Sequence, residues 1–410
     1  MHALFVEIEM IRVFRSGSAA VRMAVWLLVM GGWVAVAACS KSDPYVPPDP
    51  FYYFASYPVG KNPTTVTTAD FNRDQMTDLI TTNISSNTIS ILYGNGDGTF
   101  RDQMQVRVCQ EPRALALNDF NHDDRLDIVL ACSGSDQISI LFGRDNGKFE
   151  EGPQYPVHRA PVSVASEDLN GDGHPDLAVA LRNDKIKIFL GNATGNFRPS
   201  MQYEHGDTPT SIGIKDFNGD GKPDLIVTNG GPMLSAVSVW MGNGDGTFRD
   251  PKDYKTGRRP LGVSFADFNS DGKLDLLVIN GEGDSFTTLL GNGDGTFQPG
   301  RDAGADASPN FGMARDFDGD KIPDVAIVNL QSTDLSIIFG KGDGTFNYPP
   351  RNYRTKPGPF AVASYRVSAD NVEEPGLVTA DNGAGSVSVF LHRGWKGQAP
   401  ASSPVRKTDE

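Results

Sequence analysis

Histidine and cysteine are scarce in this chain, six and three in 410 residues, and basic residues are outnumbered by acidic ones, 37 to 51. His122 and His174 fall inside acidic turns and His2 in the leader, which leaves His158, His205 and His392 with no spacing that specifies a catalytic triad or a zinc site. The formal net charge of -14 argues against a nucleic-acid partner. After residue 50 no amphipathic helical pattern stands out, which excludes a helical architecture. What the chain has instead is turn chemistry, with 45 glycines and 27 prolines between short apolar runs, the pattern of many brief strands.

A nine-residue turn with aspartate or asparagine at alternate positions and aspartate at the ninth recurs six times, starting at Asp70, Asp119, Asp168, Asp216, Asp267 and Asp316, with spacings of 49, 49, 48, 51 and 49 residues. Such a period marks an array in which each repeat is one supersecondary unit that cannot bury its apolar face alone. It covers about residues 51–395 and leaves no room for a separate catalytic domain.

One repeat reads as four strands. Pro209 to Lys215 alternates, Leu225 to Asn229 is a β-branched run of the kind buried on both faces, and Ala236 to Met241 is a third strand. Gly242-Asn243-Gly244-Asp245-Gly246-Thr247-Phe248 supplies a tight hairpin, and Phe248 to Tyr254 an outer strand. Four antiparallel strands per repeat make one blade of a β-propeller. Strands without aspartates continue past the sixth turn, giving a seventh blade, and Phe51 to Tyr57 is an outer strand with no inner strands before it. The sequence therefore predicts an all-β, seven-bladed propeller closed by its N-terminal strand, which removes sheet edges, and a monomer.

The turns gather hard oxygen ligands. Calcium takes six to eight oxygens, and the alternating side chains offer Asp70, Asn72, Asp74 and Asp78; Asp119, Asn121, Asp123 and Asp127; Asp168, Asn170, Asp172 and Asp176; Asp216, Asn218, Asp220 and Asp224; Asp267, Asn269, Asp271 and Asp275; and Asp316, Asp318, Asp320 and Asp324. The carbonyl at the seventh position, Lys222 in the fourth turn, completes the expected sphere. Magnesium fits less well because it keeps its waters, and an EF-hand would need a glutamate at position twelve and flanking helices. The bland alternative is that Asp, Asn and Gly merely make turns. Three carboxylates in each of five turns and four in the sixth account for 19 of the aspartates, so much of the acidity reads as ligand charge. The sixth position must turn sharply, which Gly173, Gly221 and Gly272 allow and Gln75 and Lys321 do not favour. Up to six sites are expected, strongest in the third, fourth and fifth turns.

The N-terminus carries an address. Arg12, Arg15 and Arg22 precede an apolar stretch from Ala24 to Ala38, too short for a confident membrane span, and translation is expected to start at Met10. Val36-Ala37-Ala38-Cys39-Ser40 resembles the lipobox of bacterial lipoproteins, which implies cleavage after residue 38, lipidation of Cys39, a proline-stiffened tether over residues 39–50 and, from Ser40, outer-membrane anchoring facing the periplasm or the surface. A plain secretory signal is the alternative. Residues 396–410 read as a disordered tail. An exported chain permits a Cys109–Cys132 disulfide, the alternative being two buried thiols.

The recurring Asp-Phe-Asn turn with its Gly-Asp-Gly-Thr-Phe hairpins resembles the FG-GAP or VCBS repeat family, which includes the seven-bladed calcium-binding head of integrin α subunits. The resemblance implies ligand binding on the face opposite the acidic turns. There the candidates are His158, Arg159, Arg182, Asn183, His205, Arg258, Arg259 and the enlarged turn Gly230 to Leu234, each of which could equally be a solvated loop residue. It leaves two readings of function open: a calcium-stabilised, lipid-anchored module that binds a glycan or protein, or a carbohydrate-active enzyme, a polysaccharide lyase or hydrolase, on the same scaffold.

Overall fold

A computed structural model describes residues 49–369 and 372–394; the leader, Cys39, the tether to residue 48 and the tail from residue 395 lie outside the described residues. The described chain folds into seven four-stranded antiparallel sheets. Among the described residues the only helical element is a single 3-10 turn, Asp145–Gly147.

Blade four shows the pattern: Pro209–Lys215 innermost, then Asp224–Asn229, Ala236–Trp240 and the outer strand Lys252–Lys255. The second strand of each of blades one to six is buried along its whole length, as its continuous apolar run requires. In blades two to seven a proline opens the inner strand, where no N–H is needed, and the register slips directly after it. The outer strand of blade four is shorter than expected. Only Phe248 bridges back to Gly242, and pairing resumes at Lys252 after Pro251, which has no N–H to give.

Blade seven is built from both ends of the chain. Phe51–Pro58 pairs with Ser386–His392, which pairs with Val372–Asp381 and then Pro359–Ala369. Phe51 is fully buried, edge-on to Phe317 and Tyr353. The closure expected from the sequence is the closure observed.

Neighbouring blades are joined by a recurring clasp. Where the second position of an acidic turn is phenylalanine its ring meets the hairpin phenylalanine of the next blade edge-on, as in Phe71–Phe149, Phe120–Phe197, Phe217–Phe297 and Phe268–Phe346, with ring centres 5.4–6.1 Å apart; the third turn has Leu169 there, in one apolar cluster with Phe248. Such aromatic pairs add about 0.5–1.5 kcal/mol beyond area burial. In four places the hydroxyl of an outer-strand tyrosine also accepts the N–H of the next blade's hairpin phenylalanine: Tyr57 from Phe100, Tyr155 from Phe197, Tyr203 from Phe248 and Tyr254 from Phe297, at 2.9–3.1 Å.

Candidate metal centres and the opposite face

All six acidic turns fold alike. In the fourth, Asp216 accepts N–H bonds from Gly219 and Gly221, Asn218 accepts from Asp220, and Asp220 accepts from Lys222, all at 2.8–2.9 Å. The side chains thus wrap inward around their own backbone. The sixth position is left-handed in every copy, at Gln75, Asp124, Gly173, Gly221, Gly272 and Lys321. So is the fourth, including Arg73, His122 and Ser270, which the sequence did not announce. A left-handed conformation at a residue with a Cβ is costly, and the side-chain-to-backbone bonds of the turn hold it in place.

The ninth aspartate does more than offer a ligand. Asp224 is completely buried, and its two oxygens accept the N–H of Phe217 at 3.0 Å and of Gly242 at 2.9 Å. Asp78, Asp127, Asp176, Asp275 and Asp324 repeat this, each tying the start of its turn to the first glycine of its hairpin. That glycine is required because a Cβ there would strike the carbonyl of the turn's eighth residue, Pro223 in the fourth copy. Burial is the largest influence on these carboxyls and raises their pKa, with the backbone N–H groups partly opposing it. Asp78, Asp127 and Asp176 reach about 6, and Asp324 about 7. Nearby turn aspartates push them further up, so each site carries negative charge that a cation would offset.

Whether a cation fits can be judged in the sixth turn, where carboxylate oxygens of Asp316, Asp318 and Asp324 all lie within 4.8 Å of one another. Each oxygen of the ninth aspartate retains a lone pair beyond its N–H bond. The donor set is all hard oxygen, which suits calcium. In the second turn Arg125 and Arg144 approach Asp123 at 3.2 and 3.7 Å, and in the fifth Lys273 approaches Asp271 at 3.5 Å, so these copies already have partial charge compensation.

The expected ligand face is less unified. His158 and Arg159 are exposed in the connection between blades two and three, and Arg182 is exposed at the turn of blade three. Arg258 and Arg259 both face Glu282, at 3.5 and 3.6 Å. Asp207 accepts the N–H groups of Met233 and Leu234 and so anchors the enlarged turn, leaving Met233 90% exposed. His205 places Nε2 2.9 Å from Asp253, which also accepts the Ser238 hydroxyl at 2.6 Å, while the imidazole stands edge-on to Trp240. Arg113, which the sequence did not single out, is held below its usual pKa by burial and then by Arg182. Asn83, Asn229, Asn280 and Asn329 share one repeat position and donate to serine, threonine or aspartate on the third strand; their Oδ1 atoms are buried without a partner.

Two cavities lie elsewhere. One, of about 330 Å³, runs between blades one and two and is lined by Asn87, Arg107, Gln110, Gln137, Glu151 and Gln154. The other, of about 510 Å³, sits at the ring closure among Tyr52, Tyr53, Tyr353, Arg354, Lys356 and Arg393. Neither includes the residues expected to bind ligand. Cys109 and Cys132 are joined by a disulfide, with Cα atoms 5.8 Å apart; Cys109 lies in the connection before the inner strand rather than on it.

A family model for the FG-GAP-like repeat matches residues 70–130, 119–179, 168–227 and 216–278 in successive overlapping copies. The chain belongs to the FG-GAP-like repeat family. No curated protein matches it significantly. Among solved structures, this FG-GAP protein resembles BBS1N from its complex with ARL6DN, at 11% identity and a TM-score of 0.58 over 83% of this chain and 96% of that one. Streptogramin B lyase matches at 15% identity and a TM-score of 0.58, over 84% and 98%. A catalytically inactive virginiamycin B lyase from Staphylococcus aureus with quinupristin matches at 12% and 0.55, over 82% and 99%. At such identities the likeness is one of fold.

Proposed function

We propose that this FG-GAP propeller is a calcium-stabilised, lipid-anchored extracytoplasmic module that binds a carbohydrate or protein ligand. The observation that carries the reading is the uniformity of the six acidic turns, each built around a buried ninth aspartate that locks turn to hairpin. Calcium held by the first, third, fifth and ninth side chains would supply the positive charge those turns lack and stiffen the rim of every blade but the seventh. Lipidation at Cys39 would hold the ring at a membrane on the exported side, since the leader has the order of an export signal.

A second reading, an enzyme on the same scaffold, is favoured by one feature: His205 is oriented by Asp253 across the gap between blades three and four, the arrangement of a general base with its orienting carboxylate. Two of the fold neighbours are lyases. A glycan array probed in the presence of calcium, with each bound polysaccharide then assayed for products, separates the readings. Binding without turnover supports the module. Cleavage that is lost in His205→Gln supports the enzyme. Mass spectrometry of the mature N-terminus tests the anchor, and an unmodified Cys39 in the exported protein refutes it.

A further inference from the structure

His122 is the fourth residue of the second acidic turn and His174 the seventh of the third. They are 52 residues apart, one repeat plus three, and the propeller brings them together across the boundary of blades two and three. Nε2 of His122 lies 2.7 Å from Nδ1 of His174, with ring centres 4.9 Å apart and planes at 63°. The same two positions at the other boundaries carry Arg73 and Arg125, Gly171 and Lys222, Gly219 and Lys273, and Ser270 and Ile322. Only this boundary has two imidazoles.

Two imidazoles bound to one ion at about 2.05 Å have ring centres roughly 4.5–5.2 Å apart for nitrogen–metal–nitrogen angles of about 90–109°. The observed separation falls inside that range; the facing nitrogens, 2.7 Å apart, point almost directly at one another, so a tilt of each ring by roughly 35–45°, with the nitrogens parting to about 2.9–3.3 Å, turns both lone pairs onto a common point. The backbones are already fixed. The His174 N–H donates to Asp172 at 2.9 Å, and the left-handed His122 is bracketed by the bonds from Asp123 N–H to Asp119 and Asn121. We propose that His122 and His174 form a two-imidazole site for a first-row transition-metal dication of the zinc, nickel or copper class, separate from the oxygen-lined turns. Imidazole nitrogen selects such ions over calcium. The remaining coordination positions are open to water or an exogenous donor.

Binding requires both facing nitrogens to be bare. The ring that donates in the metal-free pair therefore adopts its other tautomer, and a neutral pair releases no net proton. Occupancy would bridge two blades at their rims.

The test uses untagged full-length protein in excess calcium, titrated with nickel or zinc by calorimetry, with copper added separately for electron paramagnetic resonance. One nitrogen-ligated site per chain is expected, with copper coupled to two imidazole nitrogens. His122→Gln and His174→Gln should each weaken binding on the order of tenfold or more and leave at most one coupled nitrogen, the double variant losing little further. His158→Gln serves as a control that leaves binding intact. Thermal unfolding in calcium should be the same for all variants. Affinity and coupling that persist unchanged in both single variants, or the absence of any stoichiometric binding, overturn the site.

Discussion

Blade seven and the six blades before it solve the same packing problem with different means. In blades one to six the first two strands are separated by a nine-residue acidic turn whose last aspartate is buried against two backbone N–H groups. In blade seven that turn is gone, and Pro359–Ala369 and Val372–Asp381, past the slip after Pro359, stay paired up to Ala369 and Val372. The clasp to the neighbouring blade nevertheless survives, because Tyr365 meets Phe100 edge-on at 5.5 Å where the acidic turns supply a phenylalanine or, in the third, Leu169. The polar end of the blade also changes. Asp381 stands where blades one, four, five and six place an asparagine, and accepts the hydroxyls of Thr379 and Ser388. The difference separates two roles that the repeat motif fuses: the apolar clasp is needed at every boundary, whereas the acidic turn is not.

The largest effect should come from removing what only blade seven has. Deleting residues 51–58 strips it of its outer strand and opens the ring, so the melting temperature should fall by roughly 10 °C or more; calorimetry showing an unchanged transition would mean that closure contributes nothing. The milder Phe51→Ala is expected to cost about 3–5 kcal/mol in denaturant melts.

Next in size is the clasp of the acidic turn. Asp224→Ala leaves the Phe217 and Gly242 N–H groups buried and unpaired, a loss of about 2–6 kcal/mol at about 1–3 for each donor, whereas Asp224→Asn keeps an acceptor and should cost less. Equal costs for the two variants would show that the hydrogen bonds are not what the aspartate supplies.

Calcium should stabilise by about 1.4 kcal/mol for each occupied turn when the free ion is tenfold above its dissociation constant. Chelation is therefore expected to lower the melting temperature, and Asp216→Ala to remove one increment of that shift. A melting temperature that ignores calcium across the millimolar range would reduce the turns to plain turns.

Blade seven should also show a pH dependence that owes nothing to an acidic turn. Burial raises the Asp381 pKa from 3.8 to about 7, with the hydrogen bonds from Ser388 and Thr379 partly opposing it. The folded state then holds this proton more tightly than the unfolded state. Its contribution favours folding below about pH 4, declines as the pH rises, and reaches its full cost above about pH 7. Asp381→Asn restores the repeat's usual residue and should flatten that slope in calcium-saturated protein, with the variant at least as stable as the parent at pH 8. An identical slope in both proteins would place the titration elsewhere.

The ring was legible because its determinants are periodic. Spacing fixed the repeats, continuous apolar runs such as Leu225 to Asn229 marked the buried strands, and the orphan strand at Phe51 required a partner at the other end of the chain. The need for a left-handed sixth turn residue was visible from Gly173, Gly221 and Gly272, but the same demand at the fourth position was hidden behind Arg73, His122 and Ser270. The second role of the ninth aspartate left no trace because its partners are backbone N–H groups, which every residue but proline carries. On the opposite face the pairings His205–Asp253 and Arg258–Glu282 join residues about one repeat or half a repeat apart, and nothing in residue type alone distinguishes them from solvated side chains.

The stagger of the clasp has a further consequence. Every boundary is spanned by a residue from one repeat and a residue from the repeat after it, so the link between blades six and seven, Phe317 with Phe51, is of the same kind as the links inside the continuous chain. The ring has no privileged seam. A gene rearranged to begin at any of the other hairpins, with the present ends fused through a short linker between Pro50 and Arg393, whose backbones are already hydrogen-bonded at 2.6 Å, would encode the same wheel with its entry point moved.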